Sequence, residues 1–485
     1  MNKDLQKRDN NVLDQFGPEL ISTLKFLSIP AVLVLMLLLF DLQLPGVVLY
    51  GIAAIIGGVL VLRSMKNPEW LLACFIIYMP FNKEFVIPLA AGLNGTNLFV
   101  LLLLMSWLTV SSHEKLPILR QFDNIAKIKW LVILSFISIF TVIYTIDADY
   151  MSDNFLSFKE WIFQFIIFYA VLNLIRDEAV ARRVVIYMMI GTVMVFLFGF
   201  DQLLERQGYS SIEKSRVPGP QGQPNEFGAF IVYNASFFIA IFLIYFPKLK
   251  IFYVYPILGL MAKVLLGTFS RGAYLGMALA FLVGGYIRGK AFLIGLLLVL
   301  ISFAAVFPQV VPESISQRFS GTQTEGQYGE KKLDKSSEHR LILWEAAIEM
   351  IKESPVLGKG YRGFHGLKHN YTTSEVHESD THNLYLYIAS CMGLPALILF
   401  LLIMYKTFKL AYGVYKVSDD SFNRLIGLSG TMMVVGILVV NMFGTRFHDI
   451  GTNGYYWIYL AVLLHLTRSK ESAQIENSEQ SRFRR

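Results

Sequence analysis

A histidine flanked by polar side chains stands at the start of a hydrophobic run. The sequence reads Asp380-Thr381-His382-Asn383 before the apolar stretch LYLYIASCMGLPALILF. Because an imidazole titrates near neutrality, His382 could take a proton from a hydroxyl group that attacks an electrophilic carbon. Asp380 could orient that imidazole. The plainer alternative is a histidine at a helix end that bonds to backbone or to lipid headgroups.

Three arginines point to a second kind of chemistry. Arg216 lies in KSRVPGPQGQPNEFG, Arg271 in FSRGAYLG and Arg340 in EHRLILW. A positive charge in a short turn between two hydrophobic runs, as at Arg271, is costly unless it faces water, protein or an anionic ligand. Guanidinium groups form planar, two-pronged hydrogen bonds to phosphate and are weakly hydrated. If the three converge, they would suit a diphosphate.

Each arginine also has an ordinary structural interpretation. Arg271 could extend to phospholipid headgroups, and Arg216 could be solvated in a polar loop rich in glycine and proline. Arg340 could pair with Glu338 or Glu345 on the surface.

Acidic residues leave a metal-assisted reaction open. Asp147 and Asp149 form one pair, and the segment EVHESDTH, residues 375–382, offers oxygen and nitrogen ligands. Loop acids beside a membrane span are more often a solvated boundary. Both cysteines, Cys74 and Cys391, fall inside apolar segments, so no cysteine zinc site is predicted. No metal ion and no cofactor are assigned.

The composition predicts a polytopic membrane protein. Of the 485 residues 54% are hydrophobic and 16% are charged, whereas a soluble domain carries roughly 25% charged residues. The mean hydropathy is +0.51. The net charge of +7 is accounted for by Lys and Arg on cytoplasmic loops. Nucleic acid is not expected as a partner, since no basic recognition motif is present.

Hydrophobic runs long enough to span a bilayer, about 20 residues each, predict an all-α fold with about 12–14 transmembrane helices. With the N-terminus inside, every predicted inside connection is basic. The predicted parts are a cytoplasmic segment 1–20, about 11 transmembrane helices over 21–307, a large periplasmic loop 308–381, about three transmembrane helices over 382–468 and a disordered cytoplasmic tail 469–485.

The large loop contains a predicted amphipathic helix in SSEHRLILWEAAIEMIKESP. Its apolar residues recur with a period of 3.6 at Leu341, Trp344, Ala347, Ile348 and Ile351. This pattern predicts a helix on the outer membrane surface or packed over the bundle. Together with Tyr385 and Tyr387, Trp344 could stack on sugar rings, but such residues more often form an interfacial aromatic belt.

Several of these segments together resemble the O-antigen ligase and polymerase superfamily of membrane glycosyltransferases. His382-Asn383, nine residues, and then Gly393-Leu394-Pro395-Ala396 are similar to its histidine motif. SRGAYLG, the segment from Arg340 through LWEAAIEMIKESPVLGKGYRGF, and PGPQGQPNEFGAF occur in the superfamily's order and on the same predicted side. The resemblance covers roughly residues 210–445. Ala396 stands where the ligase motif has a second glycine, so a ligase and a polymerase both remain open.

The resemblance implies a specific reaction. That superfamily transfers a glycan from undecaprenyl diphosphate to an acceptor hydroxyl on the periplasmic face of the bacterial inner membrane, without a metal ion. This chain would then be an inverting enzyme whose partners are the lipid-linked donor, a glycan, lipid or protein acceptor, and the lipid bilayer. The residues so implied are His382 as general base, Arg271, Arg340 and, more weakly, Arg216 on the diphosphate, with Asp380, Asn383 and Trp344 supporting them.

Other functions would use the same residues differently. A transporter or flippase of a lipid-linked oligosaccharide would also place arginines in a cavity, but on broken helices near mid-membrane. A metal-dependent glycosyltransferase with a lipid donor would rely on the acidic pair, and a peptidoglycan-type polymerase would rely on an acidic residue in place of His382.

Overall fold

The computed structural model describes residues 58, 63, 67–84, 95–114, 126–143, 148–209, 211–246, 252–306, 323–325, 331–333, 335–372 and 380–483. Helices make up nearly all of this part of the chain. They are α1 (Glu69–Tyr78), α2 (Gly95–Glu114), α3 (Ala126–Ile143), α4 (Ala148–Leu174), α5 (Glu178–Glu205), α6 (Ile212–Ser215), α7 (Pro224–Asn234), α8 (Ser236–Tyr245), α9 (Val254–Gly267), α10 (Arg271–Arg288), α11 (Lys290–Val306), α12 (Lys335–Glu353), α13 (Gly363–Leu367), α14 (Leu384–Val417), α15 (Ser421–Val440) and α16 (Ile450–Phe483).

One small hairpin interrupts the helices. Strands β1 (Gln323–Glu325) and β2 (Lys331–Leu333) pair antiparallel, with Thr324 opposite Lys332. Three residues per strand do not bury a core, so the hairpin does not change the all-α class of the fold.

Four helices in the described ranges are long and apolar enough to cross a membrane. They are Glu178–Glu205, the continuous pair Pro224–Tyr245, Leu384–Val417 and Ser421–Phe443. Five shorter apolar helices, of 10–17 residues, accompany them. The predicted all-α membrane class is therefore confirmed. The predicted total of 12–14 spans and the predicted domain boundaries remain predictions, because they include segments such as 1–20 that lie outside the described residues.

Helix α15 lies at the centre of the bundle and packs against α14, α10, α7 and α8. Small residues let the backbones approach closely: a Cβ added at Gly276 of α10 would lie 2.5 Å from Val440, and one added at Gly436 of α15 would lie 2.7 Å from Val232. Between apolar membrane helices, such close approach is the main source of van der Waals stabilisation.

Ion pairs hold one end of the bundle together. Arg183 donates to buried Glu69 through two nitrogens, with Nη2 to Oε2 at 2.8 Å. Arg182 Nη2 lies 3.1 Å from Asp420 Oδ1. These contacts bring together three connections that the sequence predicts to be on the inside.

Connections predicted to be on the outside meet at the other end. Lys83 Nζ lies 2.9 Å from Glu226 Oε2 and 3.4 Å from Asp449 Oδ1. We call this the site end of the bundle; it is where α1 ends and α7, α14 and α16 begin. The connections that contact one another at each end are therefore those that the distribution of Lys and Arg predicts to lie on the same side of the membrane.

The polar C-terminal segment is helical. Helix α16 continues to Phe483, whereas the sequence predicts disorder over 469–485. The segment KESAQIENSEQSRF contains good helix formers and no Gly or Pro. Extending a helix that is already formed adds one hydrogen bond for each residue that is fixed, so the helix propagates past the apolar span.

Helix α14 is broken near its middle. Gly393 has φ 85° and ψ 165° inside the helix, a conformation essentially restricted to glycine. Pro395 has no N–H with which to bond the carbonyl of Cys391, four residues earlier. That carbonyl instead accepts a hydrogen bond from Gly360 N at 3.0 Å.

Two more backbone bonds complete the repair of this break. Lys359 N donates to Ser390 O at 2.8 Å, and Leu394 N donates to Pro355 O at 2.8 Å. We call the pairing of 355–360 with 390–394 the backbone clasp. It satisfies groups that would each cost several kcal/mol if they faced lipid, and it fixes the first turns of α14 against the chain that follows α12.

Replacing Gly393 with alanine should destabilise the protein. A Cβ there would lie 2.0 Å from Val356 O, and an L side chain in this backbone conformation alone costs about 1–3 kcal/mol. We expect thiol labelling of buried Cys74 and Cys391 to begin at a lower temperature in the purified variant. Gly413→Ala, in the same helix with nothing within 4 Å of the added Cβ, is the matched control. If both variants were labelled at the same temperature, the close packing of Gly393 against the backbone clasp would be contradicted.

Candidate active site

The residues around His382 form a short polar turn that starts α14. Asn383 is the N-cap: its Oδ1 accepts hydrogen bonds from Tyr385 N at 3.0 Å and Leu386 N at 3.2 Å. His382 has φ 49°, a left-handed conformation that few residues other than glycine adopt. The turn is stabilised because His382 N donates to Asp380 Oδ1 at 2.6 Å.

Asp380 binds the imidazole as well as the backbone. Its Oδ1 lies 3.2 Å from His382 Nδ1, and its Oδ2 accepts a hydrogen bond from Thr445 Oγ1. A hydrogen on Nδ1 donated to the carboxylate makes Nε2 the basic nitrogen of the ring. The imidazole is 35% exposed. The geometry therefore places a partly exposed imidazole beside a carboxylate at the site end.

Trp344 connects α12 to the histidine turn. Its Nε1 donates to Thr381 O at 2.9 Å. Arg340 lies four residues earlier on the same helix, and residues at this spacing share a helix face. The amphipathic helix predicted in the loop thus forms, and it brings Arg340 toward the segment that carries His382.

The buried face of α12 differs in part from the predicted apolar stripe. Leu343 and Met350 are fully buried, together with Ala346 and Ala347, while Leu341 and Ile348 are 45% and 42% exposed. The helix has apolar residues on two adjacent faces, and periodicity alone does not tell which of them packs on the bundle.

Arg216 is held against the turn that precedes Arg271. Its Nε donates to Thr268 O at 3.0 Å and its Nη2 donates to Asn225 Oδ1 at 2.8 Å. Glu213 Oε2 lies 3.2 Å from Nη1. Arg271 follows three residues after Thr268 as the first residue of α10. The structure thus brings the Arg216 and Arg271 segments together and gives Arg216 a structural task.

Arg446 is a further cation at this end, which the sequence marks as a positive charge on the predicted outer side without assigning it a role. Its side chain is buried and caps the end of α15 and the turn after it: Nη1 donates to Val440 O at 3.4 Å, and Nη2 donates to Phe443 O at 3.1 Å. Burial lowers its pKa; Asp380 acts in the opposite direction, and Arg216 adds to the lowering. Arg446 is therefore near both Asp380 and Arg216, and it links the histidine turn to the segment that carries Arg216.

The start of α10 also lies against this region. A Cβ added at Gly272, the residue after Arg271, would lie 3.0 Å from Phe443 Cβ. The contacts join Trp344 to the histidine turn through Thr381, and they put Arg216 and the residue after Arg271 near Arg446 and Phe443. Arg340 is placed near Trp344 by its spacing on α12.

A cavity of about 430 Å³ opens beside Asp380. Its polar lining includes residues for which sequence analysis suggested no role: Ser157, Glu160, Arg362, Thr445 and His448. The sequence does carry a signal for Glu160: an ionisable residue at the edge of a predicted transmembrane span is by default a candidate for a functional site. Arg362 lies in the GKGYRGF segment that resembles the superfamily, but its role was not predicted, because only the fold brings Arg362 and His448 near Asp380.

The metal-binding alternative falls mostly outside the described residues. Asp147 and residues 373–379, which include three of its proposed ligands, are not described, nor is the side chain of Asp149. Across the part of the chain that the structure describes, no group of three or more His, Cys, Asp or Glu residues is placed to hold a metal ion.

The fold and this turn define the class of the protein: an all-α membrane protein with an oriented His–Asp pair at one end of its bundle. Residues 256–401 match the family model described as O-antigen ligase. The match supports the O-antigen ligase superfamily and, in general terms, a ligase- or polymerase-type activity. It runs from α9 into α14 and contains every predicted site residue except Arg216. No curated protein matches the chain.

Removing the cap at Asn383 should loosen the start of α14. Loss of a side-chain cap typically costs about 0.5–2 kcal/mol, so Asn383→Ala should lower the thermal midpoint of the purified protein. Asn383→Ser, which can cap in the same way, should restore most of it. Asn370→Ala, at an exposed position in the same region, is the control. A midpoint for Asn383→Ala equal to that of the control would argue against the cap.

Proposed function

We propose that the chain is an inverting, metal-independent glycosyltransferase of the bacterial inner membrane. It moves a glycan from undecaprenyl diphosphate to an acceptor hydroxyl on the periplasmic face, either as a surface-polysaccharide polymerase or as an O-antigen ligase. The O-antigen ligase match supports the class of reaction. The observation that carries the proposed mechanism is the pairing of His382 with Asp380 at the start of α14.

In this reaction the acceptor oxygen bonds to the anomeric carbon while the bond from that carbon to the diphosphate oxygen breaks. The acceptor proton passes to Nε2 of His382, and the diphosphate leaves with the electron pair. Asp380 stabilises the imidazolium that forms, because its carboxylate lies 3.2 Å from Nδ1. General base catalysis of this kind contributes about 10²–10⁴-fold.

The larger contribution is stabilisation of charge on the departing diphosphate. Fixed cations in a site poor in water stabilise developing negative charge strongly, since they need no reorganisation as the charge forms. Arg271 and Arg340 are assigned to the diphosphate. Arg216 is assigned a supporting part, because its guanidinium already donates to Thr268 and Asn225; it holds the turn that presents Arg271.

The break in α14 favours one alternative, a transporter of the lipid-linked glycan, because transporters place substrates at discontinuous helices. In this chain, however, the carbonyls of Ser390 and Cys391 accept hydrogen bonds from Lys359 N and Gly360 N. Backbone groups that are satisfied in this way are not left to bind an ion or a substrate. The break is better explained as a structural clasp, which supports the transferase.

His382→Ala should lower the rate of glycan transfer by about 10²–10⁴-fold, because the acceptor loses its base. The donor KM should change little. Transfer would be measured with purified protein, lipid-linked donor and acceptor, with the thermal midpoint as a check on folding. The control is His369→Ala, at an exposed position outside the proposed site. Wild-type polysaccharide output from His382→Ala would remove the base assignment.

Arg271→Ala should lower kcat/KM for the donor by about 10²–10³-fold, the typical loss when one donor to a developing anion is removed. Arg271→Lys should recover only part of it, since an ammonium does not reproduce the two-pronged contact. Arg288→Ala provides a control at the other end of α10, about 25 Å away. Equal losses in Arg271→Ala and Arg288→Ala would show that α10 is merely destabilised and that Arg271 has no phosphate role.

A further inference from the structure

A half-buried carboxylate lies among positively charged side chains at the site end. Glu226 is in the first turn of α7, and its side chain is 19% exposed. Its Oε2 accepts a hydrogen bond from Lys83 Nζ at 2.9 Å, and its charge attracts the buried guanidinium of Arg446. Glu226 therefore brings a negative charge into the part of the site that gathers cations.

The first turn of α7 packs on the first turn of α10, where Arg271 lies. A Cβ added at Gly228, two residues after Glu226, would lie 2.8 Å from Ala273 Cβ and 3.2 Å from Ser270 Cβ. The axes of packed helices are about 8–10 Å apart, so the Glu226 carboxylate acts on the start of α10 from roughly 10 Å. This is about one Debye length at physiological salt, and partly buried charges are screened less than exposed ones.

Two arginines beside Glu226 are fixed in place. Arg216 Nε donates to Thr268 O at 3.0 Å, and its Nη2 donates at 2.8 Å to Oδ1 of Asn225, the residue before Glu226. Arg446 donates to two backbone carbonyls. Guanidinium groups held in this way cannot turn away from an anion that has bound to the site. The ease with which such an anion leaves therefore depends on the other charges nearby.

Lys83 neutralises Glu226 only in part. Its ammonium is shared with Asp449, whose Oδ1 lies 3.4 Å away. Burial by itself would lower the pKa of Lys83, but Asp449 and Glu226 raise it above its usual value, so Lys83 is charged at neutral pH. Asp449 also caps α16, because its Oδ2 accepts a hydrogen bond from Thr452 N at 3.0 Å. One ammonium between two carboxylates leaves a net negative charge beside the arginines.

The proposed reaction makes the release of its product difficult. Transfer breaks the bond between the sugar and the diphosphate, so the terminal phosphate changes from a diester to a monoester. Because the second pKa of such a phosphate is about 6, the product carries close to one more negative charge than the donor at neutral pH. Cations that stabilise the developing charge hold this product more tightly than the donor, and product release limits turnover in many enzymes.

We propose that Glu226 controls product release: its carboxylate repels the diphosphate that the reaction leaves on the arginines, so that undecaprenyl diphosphate can depart. This inference rests on the proposed function, which supplies the diphosphate. The repulsion also acts on the donor, but less strongly, since the donor carries less charge. Glu226 sets the affinity for the product and does not touch the reacting atoms.

The test uses Glu226→Gln in the full-length protein in lipid nanodiscs, with the lipid-linked donor and the acceptor. The amide oxygen can still accept a hydrogen bond from Lys83. The inhibition constant of added undecaprenyl diphosphate should fall by about 4- to 16-fold, as expected for one unit charge about 10 Å away at an effective dielectric constant of about 20–40. Steady-state kcat should fall, whereas the rate of a single turnover, with enzyme in excess over donor, should equal or exceed that of the wild type.

The control is Glu205→Gln, at an exposed position at the end of α5, which should leave all three quantities within twofold of wild type. Lys83→Met provides a change of opposite sign. Without the ammonium the carboxylate of Glu226 is less neutralised, so the inhibition constant should rise. This variant also supplies the comparison if Glu226→Gln does not fold.

Three results would overturn the role of Glu226 in release. One is an inhibition constant that does not fall in Glu226→Gln although the product inhibits the wild type. Another is a single-turnover rate that falls as far as kcat, together with a lower thermal midpoint, which would show that Glu226 only stabilises the first turn of α7. The third is an inhibition constant that does not rise in Lys83→Met. If undecaprenyl diphosphate inhibited neither wild type nor variants, the donor in the proposed function would fail instead.

Discussion

The carboxylate of Asp380 is the interaction on which the rest of the site depends. One of its oxygens accepts a hydrogen bond from the backbone of His382 and faces the imidazole Nδ1; the other accepts a hydrogen bond from Thr445. This single side chain thus fixes the left-handed turn, orients the imidazole and joins α14 to the connection before α16. Without it, a non-glycine residue would have to hold a strained backbone conformation unaided.

A second set of contacts keeps that turn in place. Trp344 bonds to Thr381 O from α12, Asn383 caps α14, and the backbone clasp holds the middle of the same helix. Arg446, buried at the end of α15, connects this assembly to the segments of Arg216 and Arg271. The proposed base and the proposed phosphate ligands therefore rest on elements that contact one another, which is the condition for holding a reacting geometry.

Much of this could be predicted from sequence. The low charge and the long apolar runs predicted the all-α membrane class, the loop periodicity predicted α12, and the residues around His382 identified the superfamily that the match over 256–401 confirmed. The cavity could not be predicted, because Glu160, Arg362 and His448 are far apart in the chain and only folding brings them together. Which face of α12 is buried could not be predicted either, since two adjacent faces of the helix carry apolar residues.

The backbone clasp has a consequence for biogenesis. When α14 leaves the translocation machinery, the carbonyls of Ser390 and Cys391 are unprotected until the strip 355–360 docks on them. That strip precedes α14 in the chain, so it has already been synthesised when the helix enters the bilayer. The span thus receives its missing hydrogen-bond donors from a segment that is made before it.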